Sequence, residues 1–274
     1  MIPDKLATNS SPAKGLPEGS TVNIELRCAT RRTSEGGKMM NSPLRLARYA
    51  LLETLVPGDT TTAAARESFQ SVPQGIHVLN LVLFPDVSLP LPVLGVDLVT
   101  SPGGKHLMAI DFQPILPPQE SGVNMFPQPY DHYRTKLQVL HQKYVLDQKD
   151  VMPWGGDLPP QAQLFFSPYA LWTRIQEKQV GGGMRRDCKS IIQKEVFDAF
   201  CAYFDLYLEM MMDVNSDENN RINTKREADD VVWQGHVDYL KYRRDNDPAR
   251  PMLTRLYGED YAESVIQDIL FQMI

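Results

Sequence analysis

Three apolar runs decide the fold: IHVLNLVLF (Ile76–Phe84), VLGVDLVT (Val93–Thr100) and KHLMAIDF (Lys105–Phe112). Runs of this length, rich in Val, Leu and Ile and bounded by Pro and Gly, are typical of β-strands. The last two are joined by Ser101-Pro102-Gly103-Gly104, a tight-turn sequence. We therefore predict that they pair antiparallel.

Two polar residues, Asn80 and Asp97, lie inside these apolar runs. Because strand side chains alternate between faces, Asp97 shares a face with Gly95, and Gly95 is expected to leave open space beside the carboxylate. One interpretation is a structural aspartate that is paired to an arginine or bonded to backbone amides. The other is a proton donor whose pKa is raised by desolvation. These residues alone leave both interpretations open.

Composition excludes several classes of protein. The net charge is −6 and the pI is near 5.4, which argues against wholesale nucleic-acid binding. The three cysteines lack CxxC spacing, so neither a disulfide framework nor a zinc or iron–sulfur site is predicted, and a reducing compartment is expected. No apolar run approaches about eighteen residues, so no membrane span is predicted, nor is a secretory signal. The common nucleotide, flavin, zinc-protease and serine-hydrolase motifs are absent.

The remaining chain predicts an α+β fold in which helices cover an antiparallel sheet. We expect a polar N-terminal tail at 1–20 and a single domain at 21–274, beginning with a strand at Thr21–Thr30. Ser42 and Pro43 form a helix-start pattern that predicts a helix over Ser42–Leu55. A polar surface loop is predicted over Val214–Asp230. Four further helices are predicted over Asp131–Lys149, Lys189–Asp213, Val231–Arg244 and Glu259–Met273.

Five stretches resemble the ferredoxin-dependent bilin reductases: LPVLGVDLV, MAIDFQP, WGG, FFSPYALWTR and RRDNDPARPMLTRLYGEDYAESVIQDILF. The resemblance extends from about Thr21 to the C-terminus, with every block in the family's order. It implies a three-layer α/β/α sandwich with a central antiparallel β-sheet and a bilin between the sheet and the C-terminal helices. It also implies no bound redox cofactor, because reduced [2Fe-2S] ferredoxin passes single electrons to the bilin itself.

The resemblance also implies roles for particular residues. Asp97 matches the family's central proton-donating aspartate, and Asp247, in DNDPAR, matches a second aspartate across the pocket. Asn80 stands where phycocyanobilin-forming members carry histidine, which argues against their four-electron reaction. Plant phytochromobilin synthases have asparagine at the Asp97 position, which argues against that activity.

The remaining pattern favours reduction of biliverdin IXα to 15,16-dihydrobiliverdin, the first step toward phycoerythrobilin. The alternatives are a phycoerythrobilin-, phycourobilin- or phytochromobilin-forming reductase, a non-catalytic bilin carrier, or a structural α+β protein in which Asp97 is satisfied.

Three arginines and one serine are candidates for holding the substrate. Arginine is favoured for the two bilin propionates because its fork matches a carboxylate. The candidates are Arg174, Arg250 and Arg255, and each is equally consistent with an exposed surface ion pair. Ser167, in FFSPYALWTR, is implied as a substrate-binding residue by the resemblance.

Acidic ferredoxin is the expected transient partner, so a basic rim should surround the pocket. The candidates for that rim are Arg185, Arg186, Lys241, Arg243 and Arg244. We also expect a monomer that passes its product to the next bilin reductase. Its expected location is the plastid stroma in a eukaryote, or the cytoplasm for a cyanobacterial or viral protein.

Overall fold

The computed structural model describes residues 21–30, 43–55, 75–86, 89, 91–101, 104–114, 132–158, 160–163, 165–176, 188–216 and 226–271. Three predictions fall on other residues. They concern the tail at 1–20, the rim candidates Arg185 and Arg186, and the middle of the predicted loop, residues 217–225, and all three lie outside the described residues.

A six-stranded antiparallel sheet forms the middle layer, and its strands follow one another in chain order. The strand predicted at Thr21–Thr30 is confirmed, and the predicted hairpin is also confirmed, with Ser101 paired to Lys105 across the turn. The strands are β1 (Thr21–Thr30), β2 (Leu44–Leu55), β3 (His77–Pro85), β4 (Val93–Ser101), β5 (Lys105–Gln113) and β6 (Leu171–Gln176).

The four helices predicted after the hairpin are present, three of them with single π-helical turns. The helical segments are α1 (His132–His141), continued by a π-turn at Gln142–Leu146; α2 (Pro160–Gln163); α3 (Cys188–Ile191), joined through a π-turn at Ile192–Val196 to α4 (Phe197–Ser216); α5 (Arg226–Asn246); α6 (Arg250–Tyr257); and α7 (Glu259–Ser264), continued by a π-turn at Val265–Leu270. Pro248 disfavours helix in the residue before it, and α5 ends at Asn246, two residues beyond the predicted end at Arg244. The loop prediction over Val214–Asp230 is wrong at both ends, because α4 continues to Ser216 and α5 begins at Arg226. No helix in the described part of the chain is long and apolar enough to cross a membrane.

The helix predicted over Ser42–Leu55 is wrong, because residues Leu44–Leu55 form the strand β2. The apolar residues of this segment fit the period of two of a strand as well as they fit a helical period. In the structure, β2 pairs along its length with both β1 and β3. Arg48, Leu52 and Thr54 are buried at alternating positions. Pairing on both sides and burial of one face outweigh the local helix-start pattern.

Two hydrophobic cores lie on opposite faces of the sheet, which confirms the three-layer α/β/α sandwich. On one face, Leu94, Val96 and Ile110 of the sheet pack against the layer formed by α1 and the α3–α4 helix. On the other, Val82 and Val93 pack against the C-terminal helices, whose buried residues include Tyr239, Leu240, Leu253, Val265 and Ile266. The polar residues Asn80 and Asp97 belong to this second face.

Candidate active site

The centre of the second face is a polar pair flanked by small side chains. Ala50, Asn80, Asp97, Ala109 and Trp172 lie in register on five successive strands, so their side chains share one face. Along β4 the residues before Asp97 are buried, and those from Asp97 onward are partly exposed. The same change occurs along β3 around Asn80. The polar pair therefore lies where the sheet face becomes partly exposed, with an alanine on each neighbouring strand.

A chain of hydrogen bonds joins three strands across this face of the sheet. Arg48 on β2 donates from Nη2 to Asn80 Oδ1 over 2.7 Å, and Asn80 Nδ2 donates to Asp97 Oδ1. A guanidinium can only donate, so it fixes which end of the Asn80 amide faces the aspartate. Arg48 was not predicted as a site residue, because β2 was predicted to be a helix.

The second predicted aspartate, Asp247, lies in the helical layer over the sheet and is only 7 % exposed. Its Oδ2 accepts from Arg243 Nη2 over 3.4 Å, and its Oδ1 accepts from the Ala249 N–H over 2.8 Å. Burial raises the pKa of Asp247, while Arg243 and the Ala249 N–H oppose the rise. The charge of Asp97 raises the pKa further, so the two predicted aspartates lie within electrostatic reach of each other.

The ring of Phe271 lies close to two guanidinium groups near this site. Its centroid is 5.2 Å from Arg48 Cζ and 5.0 Å from Arg243 Cζ. Arg48 also donates from Nη1 to the Leu270 carbonyl, so one arginine side chain joins the sheet to the end of the last helix. The charge of Arg48 acts to lower the pKa of Asp247. Arg48 therefore acts on both aspartate environments.

A third aspartate on the same face was not predicted. Asp111 is 1 % exposed, pairs with Gly95 across the β4–β5 ladder, and accepts hydrogen bonds from the Ser167 N–H at 2.8 Å and the Ser167 hydroxyl. Burial raises the pKa of Asp111 to about 7, against the opposing hydrogen bonds from Ser167 and the Phe112 amide. The sequence signal was available, because Asp111 interrupts an apolar strand just as Asp97 does.

Ser167, which was predicted to bind substrate, is placed against this third aspartate. The side chain is buried, and its Oγ also accepts the Tyr169 N–H at 3.1 Å. Both the backbone N–H and the hydroxyl of Ser167 are engaged within the protein. A direct role of Ser167 toward a ligand stays a prediction.

The expectation of open space at Gly95 is wrong. A Cβ atom at Gly95 would lie 2.9 Å from Cδ and Oε1 of Gln113. Gln113 Oε1 in turn accepts a hydrogen bond from the Tyr239 hydroxyl, and burial raises the pKa of Tyr239 to about 12. The space beside Gly95 is therefore occupied by the side chain of Gln113, and the hydrogen bond from Tyr239 to Gln113 links the sheet to α5.

The three candidate propionate arginines have different surroundings. Arg174 on β6 is exposed, and its Cζ lies 5.3 Å from the ring of Trp172, in the row of the polar pair. Arg250 donates from Nη1 to Glu263 over 2.5 Å and from Nη2 to the Arg244 carbonyl. Arg255 is exposed on α6. Arg174 therefore lies on the face of the predicted site, whereas Arg250 joins helices to one another.

The candidates for the basic rim that the structure describes differ in their exposure. Lys241 is exposed and Arg244 is partly exposed, but Arg243 is buried and paired with Asp247. The assignment of Arg243 to an exposed rim is wrong, because its charge is directed to the interior. Burial acts to lower the pKa of Arg243, but the charges around it, chiefly Tyr239 and Asp247, outweigh burial and raise it.

In the part of the chain that the structure describes, no group of three His, Cys, Asp or Glu side chains is arranged to hold a metal ion. The polar groups described at this face are carboxyl, amide and guanidinium groups. They can orient a ligand, donate hydrogen bonds and hold or transfer protons.

The fold and site define a sandwich protein in which a carboxylate-bearing sheet face meets a helical layer that carries a further carboxylate. The chain belongs to the ferredoxin-dependent bilin reductase family, whose sequence model matches residues 65–272.

Among its relatives, the phycoerythrobilin:ferredoxin oxidoreductase of Nostoc punctiforme is 34% identical over 200 residues, which cover 72% of this chain and 66% of the relative. The protein of that name from Synechococcus sp. (strain WH8020) is 34% identical over 247 residues, covering 90% and 84%. The match thus spans about two thirds of the first relative and more of the second.

A solved structure shares the fold. The crystal structure of phytochromobilin synthase from tomato in complex with biliverdin aligns with a TM-score of 0.63 at 21% identity. The alignment covers 99% of this chain and 76% of the tomato chain. At that identity the likeness supports the sandwich fold.

Proposed function

We propose that this protein reduces an open-chain tetrapyrrole with electrons from reduced ferredoxin, and that Asp97 and Asp247 supply the protons. The observation that supports this most is the placement of the two carboxyl groups, one on the sheet and one in the helical layer over it, within electrostatic reach of each other. Both residues also lie within residues 65–272, the part of the chain that matches the ferredoxin-dependent bilin reductase family.

The chemistry suits this arrangement. Each ferredoxin supplies one electron, and the first electron makes a conjugated bilin a radical anion with more basic carbon and nitrogen atoms. A nearby carboxylic acid then protonates it as a general acid. Two electrons and two protons add across one double bond, and the carboxylates recover their protons from solvent. Burial favours the protonated form of Asp247, which suits it to this role.

We propose phycoerythrobilin as the product, formed from 15,16-dihydrobiliverdin by a two-electron step. Several relatives at 33–35% identity are named phycoerythrobilin:ferredoxin oxidoreductases, which favours this step. Formation of 15,16-dihydrobiliverdin from biliverdin IXα, predicted from the sequence, is the second candidate. Both are two-electron reactions, consistent with Asn80, which cannot carry a proton near neutral pH.

Arg174 is our leading candidate for a propionate partner. It is exposed and lies on the face of the polar pair, next to an aromatic ring. Arg250 already contacts Glu263 and a backbone carbonyl, so a propionate would have to displace those groups. Replacing Arg174 with Gln should therefore weaken bilin binding more than replacing Arg250 with Gln.

Product analysis tests the proposal. The purified protein is incubated anaerobically with reduced ferredoxin and either biliverdin or 15,16-dihydrobiliverdin, and the products are separated by chromatography. Conversion of 15,16-dihydrobiliverdin to phycoerythrobilin, with biliverdin unchanged, is expected. Conversion of biliverdin to 15,16-dihydrobiliverdin would instead establish the second candidate. Tight binding with no change in either bilin would indicate a carrier and contradict both.

A further inference from the structure

The hydrogen bonds from Arg48 to Asn80 and from Asn80 to Asp97 connect a buried arginine to the proposed proton donor. We propose that Arg48 is a positioning residue for proton transfer, which locks the Asn80 carboxamide so that its N–H binds one oxygen of Asp97 and the other oxygen exchanges protons with the ligand. This inference rests on the proposed bilin reduction.

The direction of the two hydrogen bonds carries the proposal. An asparagine amide can present either its oxygen or its nitrogen to a neighbour, and only its partners decide which. Arg48 has donors alone, so the oxygen of Asn80 must face Arg48 at 2.7 Å. The nitrogen of Asn80 is then directed at Asp97 Oδ1. Without Arg48, a flipped amide would turn its oxygen toward the aspartate.

The position of Arg48 is also specific. Its side chain is only 1 % exposed in the middle of the sheet, where an uncompensated charge would be costly. The Leu270 carbonyl, the Phe271 ring and the Asn80 oxygen surround its guanidinium. Its charge reaches the functional groups of the opposite layer too, since it acts to lower the pKa of both Asp247 and Tyr239.

A purely structural role is the competing explanation, because Arg48 also joins the sheet to the last helix. The two roles differ in how Arg48 and Asn80 depend on each other. If Arg48 acts through Asn80, the effects of replacing the two residues on turnover must not be additive. If Arg48 only supports the fold, its replacement must cost the same whether or not Asn80 is present.

The test is a double-mutant cycle on turnover with Arg48→Met, Asn80→Ala and the double variant. We expect each single change to lower kcat by about tenfold or more with little change in KM, and the double variant to be no slower than the slower single variant. Arg48→Lys, which keeps one charged donor, should recover part of kcat. Multiplicative losses in kcat would overturn the proposal.

Arg45→Met is the matched control. Arg45 lies three residues earlier on β2 with its Cζ 5.3 Å from the Phe84 ring, and within the described residues it makes no hydrogen bond to Asn80. Like Arg48→Met, the Arg45→Met substitution removes one positive charge and one arginine–ring contact from β2. Turnover by this variant should stay near that of the wild type.

A measurement on the bilin-free protein separates this inference from the proposed function. The side-chain amide protons of Asn80, followed by ¹⁵N NMR, should exchange slowly in the wild type and in Arg45→Met, and rapidly in Arg48→Met and less so in Arg48→Lys. Unchanged exchange in folded Arg48→Met would overturn the positioning role. If the wild type reduces neither bilin, the proposed function fails, whatever the amide exchange shows.

Discussion

Three aspartates in one region of the molecule have three different surroundings. Asp97 is partly exposed and receives an amide N–H, Asp247 is buried beside an arginine, and Asp111 is buried with a serine. Asp97 lies where the sheet face is partly exposed, whereas Asp111 is enclosed by protein groups that use both of its oxygens. We therefore assign ligand chemistry to Asp97 and Asp247, whereas Asp111 is predicted to affect stability.

The first prediction concerns Asp111 and pH. Burial raises the pKa of Asp111 from its ordinary value of 3.8 to about 7 in the folded protein, so the folded state holds a proton there that the unfolded state has released. Stability from this group is complete below about pH 4 and is lost as the pH rises toward 7. Relative to Asp111→Asn, the wild type should lose about 2–3 kcal/mol in free energy of unfolding between pH 5 and pH 8.

Urea unfolding of both proteins at several pH values checks this. The comparison with Asp111→Asn is necessary because His236 titrates in the opposite sense: burial lowers its pKa to about 4, so its contribution is lost as the pH falls. His236 is present in both proteins and cancels in the difference. A difference in unfolding free energy that does not vary with pH would show that Asp111 is ionised in the folded protein.

The residue-scale predictions from sequence depended on strand alternation. Asn80 and Asp97 were recognised because each is a polar residue within an apolar strand, and the register confirms that they are neighbours. Asp111 gives the same signal one strand later. Arg48 could not have been found this way, because its role depends on a pairing between β2 and β3 that local sequence does not specify.

At the scale of elements, the turn between α5 and α6 has both a structural and a chemical part. Asp247 closes this turn by accepting the Ala249 N–H, and its carboxyl is also the proposed proton donor. We predict that Asp247→Asn keeps the turn and the free energy of unfolding near wild type but lowers turnover. Asp247→Ala should lose both turnover and about 1–2 kcal/mol of stability.

Urea unfolding and turnover of the two Asp247 variants are measured together. Equal destabilisation by Asn and Ala would mean that the charge of Asp247, rather than its hydrogen bond, holds the turn. Undiminished turnover in Asp247→Asn would remove Asp247 from the proton-transfer step and leave it a structural residue.

The type of an element was predictable where the sequence shows a single hydrophobic period. The apolar runs of β3 to β5 are separated by Pro and Gly residues, and the long helix ending at Ser216 has a continuous apolar face. For β2 the local signals favoured a helix, since Ser42 and Pro43 resemble a helix start. Its structure comes from hydrogen bonds to two other strands, and that long-range information is absent from a short window.

At the scale of the whole molecule, partner docking must overcome an overall negative charge. The net charge is −6, so an acidic partner is repelled unless basic groups gather near the site. We predict that the bimolecular rate of reduction by ferredoxin falls as salt rises, because screening shortens the reach of exposed charges to about 8 Å at physiological ionic strength. Lys241→Gln should lower this rate and flatten its salt dependence.

Stopped-flow measurement over a range of salt concentrations checks the docking prediction. Lys143→Gln is the control, because Lys143 is exposed in the helical layer on the other side of the sheet. Equal effects of the two variants would place docking elsewhere. A rate that does not respond to salt would mean that the basic groups are ordinary solvated surface.

Single-turnover spectroscopy of the wild type and Asp97→Asn tests bilin reduction by this site most directly. Asn keeps the size and hydrogen bonding of Asp97 but removes the transferable proton. With bound bilin and reduced ferredoxin under anaerobic conditions, the wild type should complete the absorption change of reduction. Asp97→Asn should bind the bilin equally and stop at a long-lived radical. Reduction at wild-type rate in Asp97→Asn would contradict proton donation by Asp97, and unchanged bilin absorption in the wild type would contradict bilin reduction itself.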